Sequence, residues 1–231
     1  MDGFPTPDSL FKNDAALATV DKAKYYVKAS DASIANVKAA LEKKTHKVHI
    51  VETGADALAK IKELIPAKAT VMTGGSTTLV SIGFTGFLSK TKNADLPFVN
   101  LGEAIFAEKD QGKAANMRRL ALGADVFVSS VSALSEEGDI VACDLTGTRV
   151  GGFLACGTLV IVTSSQKIVP TYADAIKRTE EFALAVESAR VRVAYKIPAS
   201  TAANWLSIRA GNPFAPGRIH VIIVKDEILG F

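Results

Sequence analysis

Five short runs constrain this chain more than anything else in it: "KVHIVE" (47–52), "ATVMT" (69–73), "DVFVSS" (125–130), "LVIVT" (159–163) and "IHVIIV" (219–224). Each is β-branched and mostly apolar throughout, rather than alternating apolar with polar. Such strands need cover on both faces, which is the pattern of a mainly parallel sheet with helices above and below. The intervening segments have helical spacing. Leu58, Ile61, Leu64 and Ile65 fall on one side of a helix expected over 55–65. Helices are also expected over 77–88, over 102–122 with a break near Gly112, and over 171–191. The last opens with Thr171 and Asp174 at capping-box spacing. Further strands are expected at 97–101 and 139–145. Strands alternating with helices predict the α/β class.

Ahead of the first strand, residues 1–12 read as a loose arm carrying Pro5 and Pro7. Residues 14–44 are rich in Ala and Lys. Leu17, Val20, Val27, Ile34, Val37 and Leu41 draw a helical stripe there, divided at Ser30-Asp31. That stripe must be buried, on its own sheet or on a second copy. A homodimer is the expectation, since two-fold dimers are the commonest closed assembly.

With 231 residues, the chain can bury a full core. Its net charge of +3 is small and its basic residues are scattered, which argues against nucleic acid as a partner. The N-terminal stretch lacks the basic and apolar regions of a signal peptide. No apolar run approaches the roughly 20 residues of a membrane span. The expectation is a cytoplasmic protein with no membrane association. Cys143 and Cys156 lie in apolar runs outside any CxxC pair, so they read as buried, inert thiols.

In a parallel sheet, ligands gather beyond the carboxyl ends of the strands. Three stretches leave such ends. In "TGGSTTL" (73–79), Gly74 and Gly75 allow close backbone approach, while Ser76, Thr77 and Thr78 bring hydroxyls to a helix start. This is an anion site or a plain turn with a cap. In "SSVSALSEEGD" (129–139), Ser130 and Ser132 could meet a polar ligand, or the stretch is a hairpin-like connection turning at Gly138. In "DLTGTRVGG" (144–152), Asp144, Thr148 and Arg149 follow a strand. Arg149 could hold a carboxylate or phosphate, or pair with Asp144 as a brace. Lys167, beyond the next strand, is a further candidate anion contact. His46 and His49 fall on opposite sides of a strand and make a poor metal pair, and His220 lies on the last strand. No metal site and no Ser-His-Asp arrangement can be read from spacing.

Taken together and in order, "LIPAKATVMTGGSTTLVSIG" (64–83), "ADVFVSSVSALSEEGDIV" (124–141), "TGTRV" (146–150), "KIVPTYADAIKRTEEFA" (167–183) and "PGRIHVIIVKDEILGF" (216–231) resemble the LUD-domain family of lactate-utilisation-type proteins. The resemblance implies a three-layer α/β/α fold related to ribose-phosphate isomerases and CoA transferases, with an N-terminal helical segment added. It divides the chain into an arm with helices (1–46) and an α/β domain (47–231). It also implies a pocket built from the strand-end loops. The expected ligand is a small organic acid or a flat conjugated molecule such as a pigment. The alternative is an enzyme of organic-acid or lactate metabolism.

Departures from the family pattern fall at the same loops. Short members read S-x-N-A where this chain has Ser130-Val131-Ser132-Ala133. They read G-x-G-N-R-V against Leu145–Val150, and G-x-N-K-I-V where Ser164-Ser165-Gln166 precedes Lys167. Many also carry a cysteine cluster where this chain has "KIPASTAANWLSIRAGNPFAPG" (196–217), without cysteine. No iron–sulfur cluster is therefore expected. Trp205 and Phe214 put aromatic surface there, as core or as a pocket wall.

Overall fold

The computed structural model describes residues 5–91 and 93–231. Among these, the strands are β1 (Lys47–Val51), β2 (Thr70–Thr73), β3 (Val99–Asn100), β4 (Val126–Ser129), β5 (Ala133–Ser135), β6 (Ile140–Asp144), β7 (Thr158–Ser164), β8 (Ile168–Val169), β9 (Asn204–Ile208) and β10 (Ile219–Val224). Six form the central sheet in the order β1-β10-β7-β4-β2-β3. Every neighbouring pair in it is parallel. The five apolar runs supply five of these six strands.

Successive side chains along each strand serve opposite layers, as the strand period of two requires. In β4 and β7, Val126, Val128, Val160 and Val162 face the helices Gly54–Leu64, Thr77–Ser81 and Phe84–Lys90, packing with Ile61, Leu79 and Phe84. Phe127, Leu159 and Ile161 face the other way. They meet Val37 and Leu41 of the helix Asp31–Lys43, Ile105, and Phe153 of the helix Thr148–Ala155. This is the three-layer α/β/α arrangement.

A second sheet, in the order β8-β5-β6-β9, was not expected from the sequence. The strand expected at 139–145 belongs here, antiparallel to both β5 and β9. The physical reason is the connection. Only residues 136–139 separate β5 from β6, too few for a parallel crossover, so the chain returns as a hairpin. Gly138 turns it at φ 78°, and a Cβ there would stand 2.9 Å from Ala40 of the neighbouring helix. One face of this sheet joins the main core through Leu134 and Ile140. Ala133, Val141 and Val169 on the other face are covered by Ala175 of the helix Tyr172–Arg178.

The N-terminal stretch differs from its expected form in two ways. Pro7–Asn13 is a helix rather than loose arm, capped by Thr6 and burying Leu10. Residues 14–44 are cut into a 3-10 turn at Ala15–Leu17, a single turn at Lys22–Tyr25 and the helix Asp31–Lys43. Asp14, Asp21 and Ser30 each accept a hydrogen bond from a backbone N–H two or three residues on, so each cap restarts the chain. Leu10, Leu17 and Tyr25 pack on Phe182, Val186 and Ala189, while Ile34, Val37 and Leu41 enter the main core. The apolar stripe that motivated a homodimer is thus largely buried within its own chain, with Val27 left exposed.

Two other helices are interrupted. The one expected over 77–88 breaks at Gly83, which has φ 82°. The one expected over 171–191 runs on to Tyr195, with a π-helical turn at Thr179–Ala183.

Candidate functional site

The carboxyl ends of β7, β4 and β2 lie side by side, so the loops leaving them converge. Lys167 leaves β7 through the 3-10 turn Ser165–Lys167, Ser130 follows β4, and Thr78 lies in the first turn of the helix after β2. The Lys167 Nζ donates to Thr78 Oγ1 at 3.0 Å, Ser130 Oγ at 3.2 Å and the Val131 carbonyl at 3.2 Å. Ser130 Oγ in turn donates to Thr78 Oγ1 at 3.2 Å, and Thr78 Oγ1 to the Leu229 carbonyl at 3.3 Å. Lys167 is 2% exposed, where a surface lysine is the ordinary case. Burial, and then the charges of Arg178 and Arg149, hold its pKa well below the usual lysine value.

Two arginines complete the cluster. Arg178 is wholly buried at the start of the π-helical turn, a feature common at functional sites. Its Nη1 donates to the Ser132 carbonyl, and its guanidinium lies 5.1 Å from the Phe182 ring centroid. Its Nε and Nη2 have no hydrogen-bond partner among the described residues. Burial lowers its pKa to about 9, which still leaves it charged at neutral pH. Arg149 reaches across two loops, donating to the Cys143 carbonyl at 2.8 Å and the Gly75 carbonyl at 2.6 Å. Its Nε is likewise without a partner. No carboxylate forms an ion pair with Arg149, Lys167 or Arg178 among the described residues.

Asp144 serves the backbone instead. Its carboxylate accepts from the N–H groups of Gly147, Arg149 and Val150 and from Asn204 Nδ2, which fixes the start of the helix Thr148–Ala155. The stretch read as a strand-end loop is therefore largely this helix, entered through Gly147 at φ 80°. Gly152 is required by contact: a Cβ there would fall 2.2 Å from the Phe127 ring.

The remaining candidates separate into those near the cluster and those apart from it. Ser76 caps the five-residue helix Thr77–Ser81 by accepting from Leu79 N at 3.2 Å. Gly75 is exposed, with open space where a Cβ would stand, and Gly74 is buried beside Ser129 and Arg149. Thr77 lies against Gly230, and the Thr148 hydroxyl pairs with that of Thr146, at 3.2 Å. Ser132 Oγ lies 3.6 Å from Cys143 Sγ. Cys143 and Cys156 are free thiols, and burial raises the pKa of both.

Residues 225–231 form a strap over these strand ends. Ser165 Oγ donates to the Lys225 carbonyl, Ser164 Oγ to the Glu227 carbonyl, and Gln166 Nε2 to the carbonyls of Leu229 and Gly230. Leu229 and Phe231 are buried at its end. Clefts of about 460 and 410 Å³ lie elsewhere, one beside Lys44 and Arg209, the other beside Lys28 and Asp226.

Sequence reasoning missed Arg178 and the strap. It also missed that His49 Nε2 and His220 Nδ1 approach to 3.1 Å across β1 and β10, with rings within 10° of parallel. Trp205 is partly exposed and Phe214 almost fully so, hence neither is core. Among the described residues, no group of three or more His, Cys, Asp or Glu could hold a metal ion. Nor is any helix there long and apolar enough to cross a membrane.

The sequence model of the LUD domain family matches residues 34–224, and the chain belongs to that family. The match starts within the helix Asp31–Lys43, the N-terminal helix that enters the main core. Among solved structures, a DUF162 family protein from Deinococcus radiodurans is similar at 15% identity and a TM-score of 0.48, covering 84% of this chain and 96% of its own. No curated protein matches.

Proposed function

We propose that this protein binds a small organic acid at the β2, β4 and β7 strand ends, with Arg178 and Arg149 supplying the positive charge and Lys167 a buried amine beside them. One observation carries the reading: Lys167 and Arg178 are buried beside the half-buried Arg149 with no carboxylate in ion-pair contact among the described residues, and the Nε and Nη2 of Arg178 leave three N–H donors unspent. Burying a charge without a counter-charge is costly, and a bound carboxylate would offset that cost. The planar fork of an arginine suits a carboxylate in two-point contact. The hydroxyls of Ser130 and Thr78 add neutral contacts for an oxygen-rich molecule. The ionic and hydroxylic lining favours a short acid over a flat conjugated ligand.

The test is a panel of short 2-hydroxy, 2-oxo and dicarboxylic acids, with inorganic phosphate alongside, read by calorimetry and thermal unfolding. A bound acid at 100 times its Kd should stabilise the fold by about 2.7 kcal/mol. Arg178→Gln should weaken binding by roughly 1.5–3 kcal/mol, the value of a charged hydrogen bond. If no acid shifts the midpoint, or if Arg178→Gln binds as tightly as the parent, the reading is wrong. If phosphate alone binds, the site is one for phosphate rather than carboxylate.

A further inference from the structure

We infer that Lys167 is a nucleophile, forming an imine with the carbonyl carbon of a small 2-oxo acid whose carboxylate is held by Arg178. This rests on the organic-acid reading and narrows it to acids that carry a ketone or aldehyde beside the carboxylate.

The argument begins with the hydrogen atoms around Nζ. Three oxygens surround it: Thr78 Oγ1, Ser130 Oγ and the Val131 carbonyl. An ammonium would give one N–H to each. A neutral amine gives only two, and its lone pair must then accept from a hydroxyl. Ser130 can turn its hydrogen from Thr78 to Nζ without moving a heavy atom, because a hydroxyl is both donor and acceptor. The cage therefore accommodates the neutral amine as readily as the charged one.

The surroundings then select between the two forms. Lys167 has no carboxylate partner, is sealed from solvent and lies within the field of two fixed arginine charges. Each of these disfavours the ammonium. A lysine kept neutral by desolvation and by neighbouring cations is an activated nucleophile toward carbonyl carbon. Arg178 is no such nucleophile, but its free Nε and Nη2 present the donors a carboxylate needs.

The step balances without an oxidant or reductant. The Nζ lone pair attacks the carbonyl carbon, and the carbonyl π pair moves to oxygen, which takes a proton. The amine loses a proton to give the carbinolamine. Loss of that hydroxyl as water leaves a C=N bond between Lys167 and the former carbonyl carbon. Ser130 and Thr78, both bonded to Nζ, are placed to relay the protons.

The full-length protein should be incubated with pyruvate or glyoxylate and reduced with sodium borohydride, then analysed by intact mass and peptide mapping. The expected result is one reduced adduct per chain, at Lys167. Lys167→Arg removes the nucleophilic amine while keeping a long basic side chain, and should give no adduct there. Ser130→Ala should still give the adduct, several-fold more slowly. Circular dichroism checks that each variant is folded. Calorimetry with pyruvate and lactate, which has no carbonyl to attack, separates the two levels of the argument. If the acids bind but Lys167 is never modified, the imine is excluded and the binding reading stands. If labelling is confined to other lysines and is unchanged in Lys167→Arg, the imine is likewise excluded. If neither acid binds and no adduct forms, both readings fall.

Discussion

Gly152→Ala tests how the helix carrying Arg149 is seated. A Cβ at Gly152 would lie 2.2 Å from Phe127 Cε2, 2.4 Å from Cζ and 2.5 Å from Cδ2. Carbon atoms pack best at about 3.5–4.0 Å. The Phe127 ring is fully buried and stands edge-on to Phe153 at 6.3 Å, so it cannot swing aside freely. The helix Thr148–Ala155 must move outward instead. Two effects oppose each other. Alanine is the better helix former by roughly 1 kcal/mol. Overpacking costs about 1–3 kcal/mol, occasionally more, and an overlap this deep belongs at the upper end. The overlap wins, leaving a net loss of about 2 kcal/mol. For a chain of this size that lowers Tm by roughly 4–8 °C. The outward shift also draws Arg149 from the carbonyls of Gly75 and Cys143. Urea and thermal unfolding followed by circular dichroism give the loss. Phe127→Leu, which shortens the offending ring, supplies the second arm of a double-mutant cycle. In that background Gly152→Ala should be close to neutral. A Gly152→Ala protein as stable as the parent, or an equal loss in both backgrounds, would refute the contact argument.

The buried histidine His46 makes stability depend on pH. Burial, and then Lys44 and Arg218, depress its pKa from 6.5 to about 4, and its Nε2 has no partner among the described residues. As pH falls below 6.5 the unfolded chain takes up the proton first, so stability drops until about pH 4 and then levels, a loss of roughly 3 kcal/mol from this group. His46→Asn should show a shallower loss over that range, and an unchanged slope would remove His46 from the account. Gly75→Ala and Ser76→Ala should move Tm in opposite directions. The first meets open space at an unstrained backbone and gains about 0.4–1 kcal/mol, while the second loses the cap of Leu79 N and about 0.5–2 kcal/mol. Shifts of the same sign in thermal denaturation would contradict the local geometry.

The central sheet was legible because a strand buried on both faces must be apolar at every position, and runs as short and β-branched as "LVIVT" and "IHVIIV" favour a strand over a buried helix. The small sheet was not, because β5 and β8 are three and two residues long and carry no pattern. β6 was visible as a strand, but its direction is decided by the length of the preceding turn and by its partners, not by its own residues. The helix Thr148–Ala155 was hidden by Gly151 and Gly152, which weaken helix propensity while permitting close packing. Within the candidate site, Lys167, Ser130 and Arg149 could be singled out in the sequence because they follow strand ends. Arg178 was not, since beside Lys177 it reads as the solvent face of an amphipathic helix. Its burial depends on the hairpin and the N-terminal helices, which come from distant parts of the chain.

On the proposed reading, the strap formed by residues 225–231 sets a rate as well as a boundary. Lys167 and Ser130 are buried beside it, and an acid entering from this side would need Ser164, Ser165, Gln166 and Thr78 to release the carbonyls they hold. Association is then a two-step process, opening followed by capture. Its observed rate should rise with ligand concentration and reach a plateau at the rate of opening. The plateau belongs to the protein and should be the same for every acid that enters, whatever its affinity. Backbone amide exchange in the strap should run at that same frequency, so the clock of the site can be read in the absence of any ligand.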